Sequence, residues 1–181
     1  TGVVGTVEYR VAGEVLEAPL TTPDALTLQA LFVRMRDAQV SRVCIEVSSI
    51  ALDQDRVAGC QFEVGLFTNF TPDHLDYHGT MEVYLAAKQR LFSDYAPHSV
   101  FNADDSAWKS LRDGCRSPQI FTYSTATAGA DFAVRRKQLS AAGIVAEIET
   151  PSGVVHLRSP LLGMHNLSNC LGVLACEVAL G

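Results

Sequence analysis

The stretch FEVGLFTNFTPDHLDYHGTMEVYLAAKQRLF, residues 62–92, holds a strand pattern followed by a helix pattern. Residues 62–69 form a short, mostly apolar run, which is typical of a buried parallel strand. A helix is predicted over residues 80–95, because one of its faces carries the regularly spaced residues Met81, Tyr84, Leu85, Lys88 and Phe92. A strand that leads into a helix in this way is the repeating unit of α/β proteins.

The segments on either side extend this alternation. The run RVCIEV, residues 42–47, predicts a second buried parallel strand, and SVFNADD, residues 99–105, predicts a third that ends in polar residues. Thr22 and Pro23 predict the N-cap and first residue of an earlier helix of about four turns, and a short helix is expected around Trp108. The predicted fold class is α/β, with a mostly parallel sheet flanked by helices.

From about residue 118 the pattern changes to four strand-like segments separated by Gly, Ser and Pro. These segments predict an antiparallel β patch appended to the sheet. We expect a single domain over residues 1–181, with an α/β core over 1–117, antiparallel strands over 118–162 and a final helix over 163–181.

The composition narrows the class of protein. With 181 residues, 48% of them hydrophobic, the chain is long enough to bury one core. A net charge of −6 without a Lys/Arg cluster argues against a nucleic-acid surface, and no apolar run reaches the roughly 18 residues of a membrane span. The first residues lack the features of a signal peptide, so we expect a soluble, cytoplasmic protein. The five cysteines form no Cys-x-x-Cys pair, which predicts reduced core thiols.

Polar side chains follow each predicted strand. Glu46 ends the first, Asn69 and His74 follow the second, and Asp104 and Asp105 end the third. Because ligands collect at the carboxyl ends of parallel strands, these residues are candidates for a binding site.

Each candidate also has an ordinary explanation. Glu46 could cap a turn, His74 and His78 could be solvated, and Lys88 could extend its amine out of the apolar face. A different class of protein, a metal-dependent hydrolase, would use Asp73, Glu46 and both histidines to activate water. Taken singly, these residues leave the alternatives open.

Four segments in order resemble the central, ATP-binding domain of the Mur ligases. They are EVSSIALDQDRV (46–57), TNFTPDHLDYHGTMEVYLAAKQRLF (68–92), FNADD (101–105) and GMHNLSN (163–169). Within that family, DHLDYHG followed by the lysine of AAK is most similar to the MurE-type enzymes, which add the third peptide residue of the peptidoglycan precursor. The resemblance covers nearly the whole chain and implies the P-loop-NTPase-like fold of that domain, truncated at its N-terminus.

The resemblance also implies an activity. MurE-type enzymes use ATP to join a diamino acid, meso-diaminopimelate or L-lysine, to UDP-MurNAc-L-Ala-D-Glu through an acyl phosphate. By the same resemblance Lys88 would be carbamylated by CO₂, and Glu46, His74 and the modified Lys88 would bind Mg²⁺ or Mn²⁺. Burial disfavours the charged ammonium and is consistent with this modification.

Substrate contacts are implied as well. The positions that match contacts to the UDP-muramyl-peptide are Thr21, Thr22, Ser48, Gln54 and Arg56. Those that match the nucleotide site are Asn69, Asn166 and Asn169. Of these residues, Arg56 carries the charge needed to hold an anionic group.

The sequence departs from the family pattern at three points. It lacks the phosphate loop Gly-x-x-Gly-Lys-Thr-Thr, it lacks the uridine-binding N-terminal and the C-terminal domains, and it has Ile50 where the MurE-type pattern usually has His. We therefore expect a fragment without ligase or ATPase turnover on its own. Another Mur-type ligase, a folylpolyglutamate-type ligase and a non-catalytic binding module remain alternatives.

Overall fold

The computed structural model describes residues 1–126 and 129–181. They fall into two compact units, and the chain enters each of them more than once. The first unit contains Thr1–Cys60 and His74–Arg90, and the second contains Gln61–Asp73 and Leu91–Gly181.

The first unit holds a four-stranded sheet formed by β1 (Gly2–Val4), β2 (Tyr9–Val11), β3 (Glu14–Leu16) and β4 (Val43–Ile45). The spatial order is β3-β2-β1-β4, with β1 and β4 parallel and the other neighbours antiparallel. The turn between β2 and β3 contains Ala12 and Gly13, whose φ angles of 50° and 97° suit a two-residue hairpin.

Strand β4 corresponds to the strand predicted over residues 42–47. Its parallel pairing, with β1, is confirmed. The prediction that it is buried is wrong, because Val43 is 42% exposed and Cys44 is also exposed. The reason is its place at the edge of the sheet, where a strand has a neighbour on one side only.

The helices of the first unit are α1 (Ala25–Asp37), α2 (Ser49–Asp53), α3 (Leu75–His78) and α4 (Met81–Arg90). The predicted start of α1 is wrong by two residues, since the N-cap is Asp24. Its carboxylate accepts the backbone N–H groups of Leu26 and Thr27 at 3.0 and 3.1 Å. Thr22 does not cap the helix because its hydroxyl bonds to the backbone around Glu46.

The second unit holds a six-stranded sheet formed by β5 (Val64–Phe67), β6 (His98–Asn102), β7 (Gln119–Ser124), β8 (Phe132–Ser140), β9 (Gly143–Thr150) and β10 (Gly153–Ser159). Strands β5 to β8 pair in parallel, and β8 to β10 pair antiparallel. This sheet confirms the predicted α/β class, a mostly parallel sheet with an antiparallel patch.

Two helices and a π-helical turn complete this unit. The turn is Leu91–Tyr95, and the helices are α5 (Trp108–Asp113) and α6 (Gly163–Leu180). The predicted antiparallel patch began too early, because β7 is parallel to both of its neighbours. The physical reason is α5, which forms the crossover that a parallel β6–β7 connection requires.

The core of the second unit lies between α6 and the sheet. Its fully buried residues include Val100, Tyr123, Leu167 and Leu171. A Cβ added to Gly172 would lie 3.2 Å from atoms of both Leu66 and Tyr123, so this glycine permits the close approach of α6 to the strands.

All five cysteines are free in the structure. Their predicted core position is wrong, because one is exposed and four are only partly buried. They lie at a sheet edge, in loops and beside the core rather than inside it. In the part of the chain that the structure describes, no helix combines the length and apolar character needed to cross a membrane.

Candidate functional site

Glu46 follows β4 directly, and its carboxylate has a fixed orientation. Its backbone N–H donates to the carbonyl of Val4 at 2.8 Å, which extends the β1–β4 pairing. The side-chain Oε2 accepts hydrogen bonds from the N–H and the hydroxyl of Thr6 at 3.1 and 2.8 Å. The other oxygen, Oε1, has no hydrogen-bond partner among the described residues. Glu46 thus caps a turn with one oxygen and leaves the other for a ligand.

Thr21 and Thr22 belong to the same hydrogen-bond network. The Thr22 hydroxyl donates to the carbonyl of Glu46 at 2.8 Å and accepts the N–H of Ser48 at 3.0 Å. The hydroxyls of Thr21 and Thr6 lie 3.0 Å apart. Because Thr22 is 1% exposed, its bonds are shielded from water and fix the backbone around Glu46.

Arg56 and Gln54 continue this network beyond α2. Nε and Nη2 of Arg56 donate to Oε1 of Gln54 at 3.0 and 2.7 Å, and Nη1 donates to the carbonyl of Thr22 at 2.9 Å. Of the five N–H bonds of a guanidinium, two have no partner in the described part of the chain, one on each terminal nitrogen. Arg56 is therefore held in place with two donors left for an anion.

Tyr84 lies at the centre of a second group of side chains. Nζ of Lys88 lies over its ring, 5.1 Å from the centroid, and the His74 ring packs against it in a T-shaped arrangement at 5.9 Å. His78 stacks on the same ring with centroids 5.3 Å apart. Tyr84 is 5% exposed, so His74 and Lys88 both contact one buried aromatic ring.

His78 is a structural residue in this arrangement. It is 7% exposed, and its Nε2 lies 2.9 Å from Oγ of the buried Ser49. Within residues 1–126 and 129–181, no group of three or more His, Cys, Asp or Glu side chains is placed to hold a metal ion. The hydrolase alternative needs both histidines on one metal, and it is tested by comparing variants of His74 and His78.

His78 connects the segment that follows Glu46 with the group of side chains around Tyr84. Ser49 lies three residues after Glu46, and His78 joins it to the Tyr84 ring that contacts His74 and Lys88. A carboxylate oxygen such as that of Glu46 suits Mg²⁺ or Mn²⁺, whereas an imidazole nitrogen is a more usual ligand of zinc, copper, iron or nickel, so the fit of His74 to such an ion is the weaker of the two.

The three asparagines predicted for the nucleotide lie in the second unit and are not part of this network. Asn69 follows β5, and its Nδ2 lies 3.4 Å from the Thr68 hydroxyl. Nδ2 of Asn166 donates to the carbonyl of Leu162 at 2.8 Å in the first turn of α6, and Asn169 is exposed one turn later.

Several residues that organise these sites escaped the sequence analysis. Thr6 and Tyr77 carry no local signal, because their partners are distant in the sequence, and Tyr84 was identified only as a residue of the apolar helix face. Asp105 was identified only as a polar strand end, and Asn102 belongs to the same strand. In the structure, Nδ2 of Asn102 donates to the Thr68 carbonyl at 2.7 Å, and Asp105 accepts the Phe70 N–H at 2.5 Å.

Two tyrosines have raised pKa values because burial disfavours their phenolates. Burial raises the pKa of Tyr123, whose hydroxyl donates to the carbonyl of Phe67 at the end of β5 at 3.2 Å. Burial also raises the pKa of Tyr9, whose hydroxyl donates to the carbonyl of Leu20. Both hydroxyls therefore stay protonated and donate hydrogen bonds. The bond from Tyr9 holds Leu20, the residue before Thr21.

Comparison with known proteins finds similar sequences and a similar structure over nearly the whole chain. Residues 1–177 match the family model described as the Mur ligase middle domain. The UDP-N-acetylmuramoyl-L-alanyl-D-glutamate–2,6-diaminopimelate ligase of Synechococcus elongatus is 45% identical over 183 residues, covering 100% of this chain and 37% of the relative. The ligase of the same name from Pseudomonas aeruginosa is 41% identical over 181 residues, covering 99% of this chain and 37% of the relative.

A solved structure of a ligase with that name superimposes with a TM-score of 0.88 at 33% identity, covering 99% of this chain and 38% of that one. The chain therefore spans less than two fifths of the length of the relatives that it matches.

Proposed function

The chain belongs to the family of Mur ligase middle domains, and from this premise we propose that it is the central part of an ATP-dependent ligase that forms an amide bond in peptidoglycan synthesis. The observation that carries the proposal is the hydrogen-bond network of the first unit. It joins Glu46 to all five residues proposed to contact the peptide substrate, Thr21, Thr22, Ser48, Gln54 and Arg56.

The proposed substrates follow from the names of the relatives. UDP-MurNAc-L-Ala-D-Glu would supply a carboxylate, and 2,6-diaminopimelate would supply the amine. Arg56 would bind an anionic group of the first substrate with its two remaining N–H donors. L-lysine is the alternative amine. An enzyme that consumes ATP and a nucleotide-linked sugar would act in the cytoplasm.

The proposed reaction has two steps. The substrate carboxylate attacks the γ-phosphorus of ATP, which releases ADP and forms an acyl phosphate. The amine then attacks the acyl carbon, and the amide forms as phosphate and a proton leave. The protein contributes by holding the reacting groups in line and by stabilising charge that develops between them.

Glu46, His74 and a carbamylated Lys88 would bind a magnesium ion, with Oε1 of Glu46 as the available carboxylate oxygen. A bound Mg²⁺ would neutralise phosphate charge during phosphoryl transfer. Thr6 holds the Glu46 carboxylate through Oε2, and the Tyr84 ring restricts His74, so both side chains are oriented before any ligand arrives.

Carbamylation of Lys88 is part of the proposal. The neutral amine would attack CO₂, form an N–C bond and lose a proton, which converts a cation into an anionic oxygen ligand. The position of Nζ over the Tyr84 ring favours the ammonium form through a cation–π contact, so the modification competes with that contact. An adjacent cation would shift the balance towards the carbamate.

Asn69, Asn166 and Asn169 would contact the nucleotide. They lie after a parallel strand and in the first two turns of α6, and their amides can both donate and accept hydrogen bonds.

The proposal is tested with the full-length enzyme, ATP, Mg²⁺ and UDP-MurNAc-L-Ala-D-Glu. We expect ADP, phosphate and a tripeptide product in equal amounts with 2,6-diaminopimelate, and much slower turnover with L-lysine. ATP consumption without an amide product, or no turnover with either amine, would overturn the proposal.

A further inference from the structure

The short helix α3 contacts both ends of α2. At the N-terminal end of α2, Nε2 of His78 lies 2.9 Å from Oγ of Ser49. At the C-terminal end, the Tyr77 hydroxyl donates to Oδ2 of Asp53 at 2.8 Å and accepts Nε2 of Gln54 at 3.1 Å. The mechanism above uses neither Tyr77 nor Asp53, although Tyr77 bonds to Gln54, the residue that holds Arg56, and Asp53 bonds to Tyr77.

The direction of each hydrogen bond in this chain is determined. Arg56 has donors only, so the atom of Gln54 that it contacts through Nε and Nη2 must be the acceptor Oε1. The amide nitrogen of Gln54 therefore faces Tyr77 and donates to its oxygen. The phenol proton is then directed to the carboxylate of Asp53, which accepts only.

Gln54 controls which N–H bonds of Arg56 remain available. Its Oε1 accepts from Nε and Nη2 along one edge of the guanidinium. The Thr22 carbonyl accepts one of the two N–H bonds of Nη1. The two remaining donors lie on different nitrogens, an arrangement that suits the two oxygens of a carboxylate. If the Gln54 amide rotated, its NH₂ group would face Arg56, and the guanidinium would lose its acceptor.

We infer that Tyr77 is a positioning residue for substrate binding: with Asp53 it fixes the Gln54 amide, which fixes Arg56 for the carboxylate of the peptide substrate. This inference rests on the proposed function. A purely structural role would reside in the Tyr77 ring, which packs against His78 at 4.8 Å, or in the bond from its hydroxyl to Asp53, and would not act through the Gln54 amide.

The test is Tyr77→Phe in the full-length enzyme, because this change keeps the ring and removes the hydroxyl. We expect the KM for UDP-MurNAc-L-Ala-D-Glu to rise about three- to tenfold, the effect of losing one neutral hydrogen bond, while kcat and the KM for ATP change little. The matched control is Tyr95→Phe, since Tyr95 packs edge-on against Phe62 and its hydroxyl has no hydrogen bond within the described residues. That variant should leave all three constants unchanged.

A double-variant comparison shows whether Tyr77 acts through Gln54. In a Gln54→Leu enzyme the amide is absent, so adding Tyr77→Phe should raise the KM no further. An unchanged KM in Tyr77→Phe, or an equal rise with and without the Gln54 amide, would overturn the inference and leave the proposed function intact. Absence of ligase turnover in the unsubstituted enzyme would overturn both.

Discussion

Nζ of Lys88 lies 5.1 Å from the centre of the Tyr84 ring, on a helix face that is otherwise apolar. The same ring contacts His74, a second residue proposed to bind the metal. The Lys88 amine and the His74 imidazole therefore share one neighbour, the Tyr84 ring. The position of Lys88 follows from helix periodicity, whereas its surroundings follow from the packing of α3 against α4.

The first prediction concerns the chemistry of Lys88. In the full-length enzyme, Lys88→Ala should lower kcat roughly 100-fold or more, the scale of losing one group that stabilises transition-state charge. Millimolar short carboxylic acids should restore part of the activity by occupying the vacated carboxylate position. Steady-state kinetics with and without acetate measure this effect.

The control for that experiment is Lys109→Ala, because Lys109 is an exposed lysine on α5. It should retain full activity and show no response to acetate. Near-normal kcat in Lys88→Ala would show that this amine is not a precursor of a metal ligand.

The second prediction separates the two histidines. His74→Ala, like Glu46→Ala, should lower kcat severely without a large loss of stability. His78→Ala should instead lower the stability by about 1–3 kcal/mol, because it leaves the buried Ser49 hydroxyl without its partner. Its effect on kcat should be much smaller.

Thermal unfolding and kcat should be measured on the same preparations. Equal and complete loss of activity at both histidines, with unchanged stability, would favour a two-histidine metal centre instead.

The third prediction is a pH dependence at the start of α1. Hydrogen bonds from Thr27 lower the pKa of Asp24 below its ordinary value of 3.8, so the folded state favours the carboxylate. The resulting stabilisation is present above the unfolded-state pKa and is lost as the pH falls through the folded-state pKa. The stability difference between the wild type and Asp24→Ala should therefore be largest at about pH 7 and shrink at about pH 3.

Urea unfolding at both pH values measures this difference. Asp24→Asn is the matched control, because an asparagine caps a helix without titrating. Its stability relative to Asp24→Ala should be nearly the same at the two pH values. A gap between wild type and Asp24→Ala that stays constant with pH would contradict the assignment of the cap.

The fourth prediction concerns packing of α6 in the second unit. Leu171→Ala should lower the free energy of unfolding by about 2–5 kcal/mol, because the side chain is 0% exposed and its removal leaves a cavity. Val173→Ala on the same helix is the control, since Val173 is 57% exposed. It should be neutral or slightly stabilising, because alanine has the higher helix propensity. Similar losses for both variants would contradict the assignment of the buried face of α6.

The amino-acid sequence by itself determined the local elements and the family. Apolar runs and helical spacing predicted strand β5 and helix α4, and they placed Lys88 on the apolar face of that helix. These patterns depend on residues a few positions apart, and such distances are set by the geometry of a strand or a helix alone. The four motifs identified the Mur ligase middle domain because their order and residue types are specific.

Tertiary structure decided which residues meet. The helix start moved from Thr22 to Asp24 because the Thr22 hydroxyl bonds the Glu46 carbonyl, a residue 24 positions away. Thr6 reaches the Glu46 carboxylate across 40 positions, and parallel pairing placed β7 beside β6. Such contacts depend on the path of the whole chain and on competition among distant partners, which local periodicity does not record.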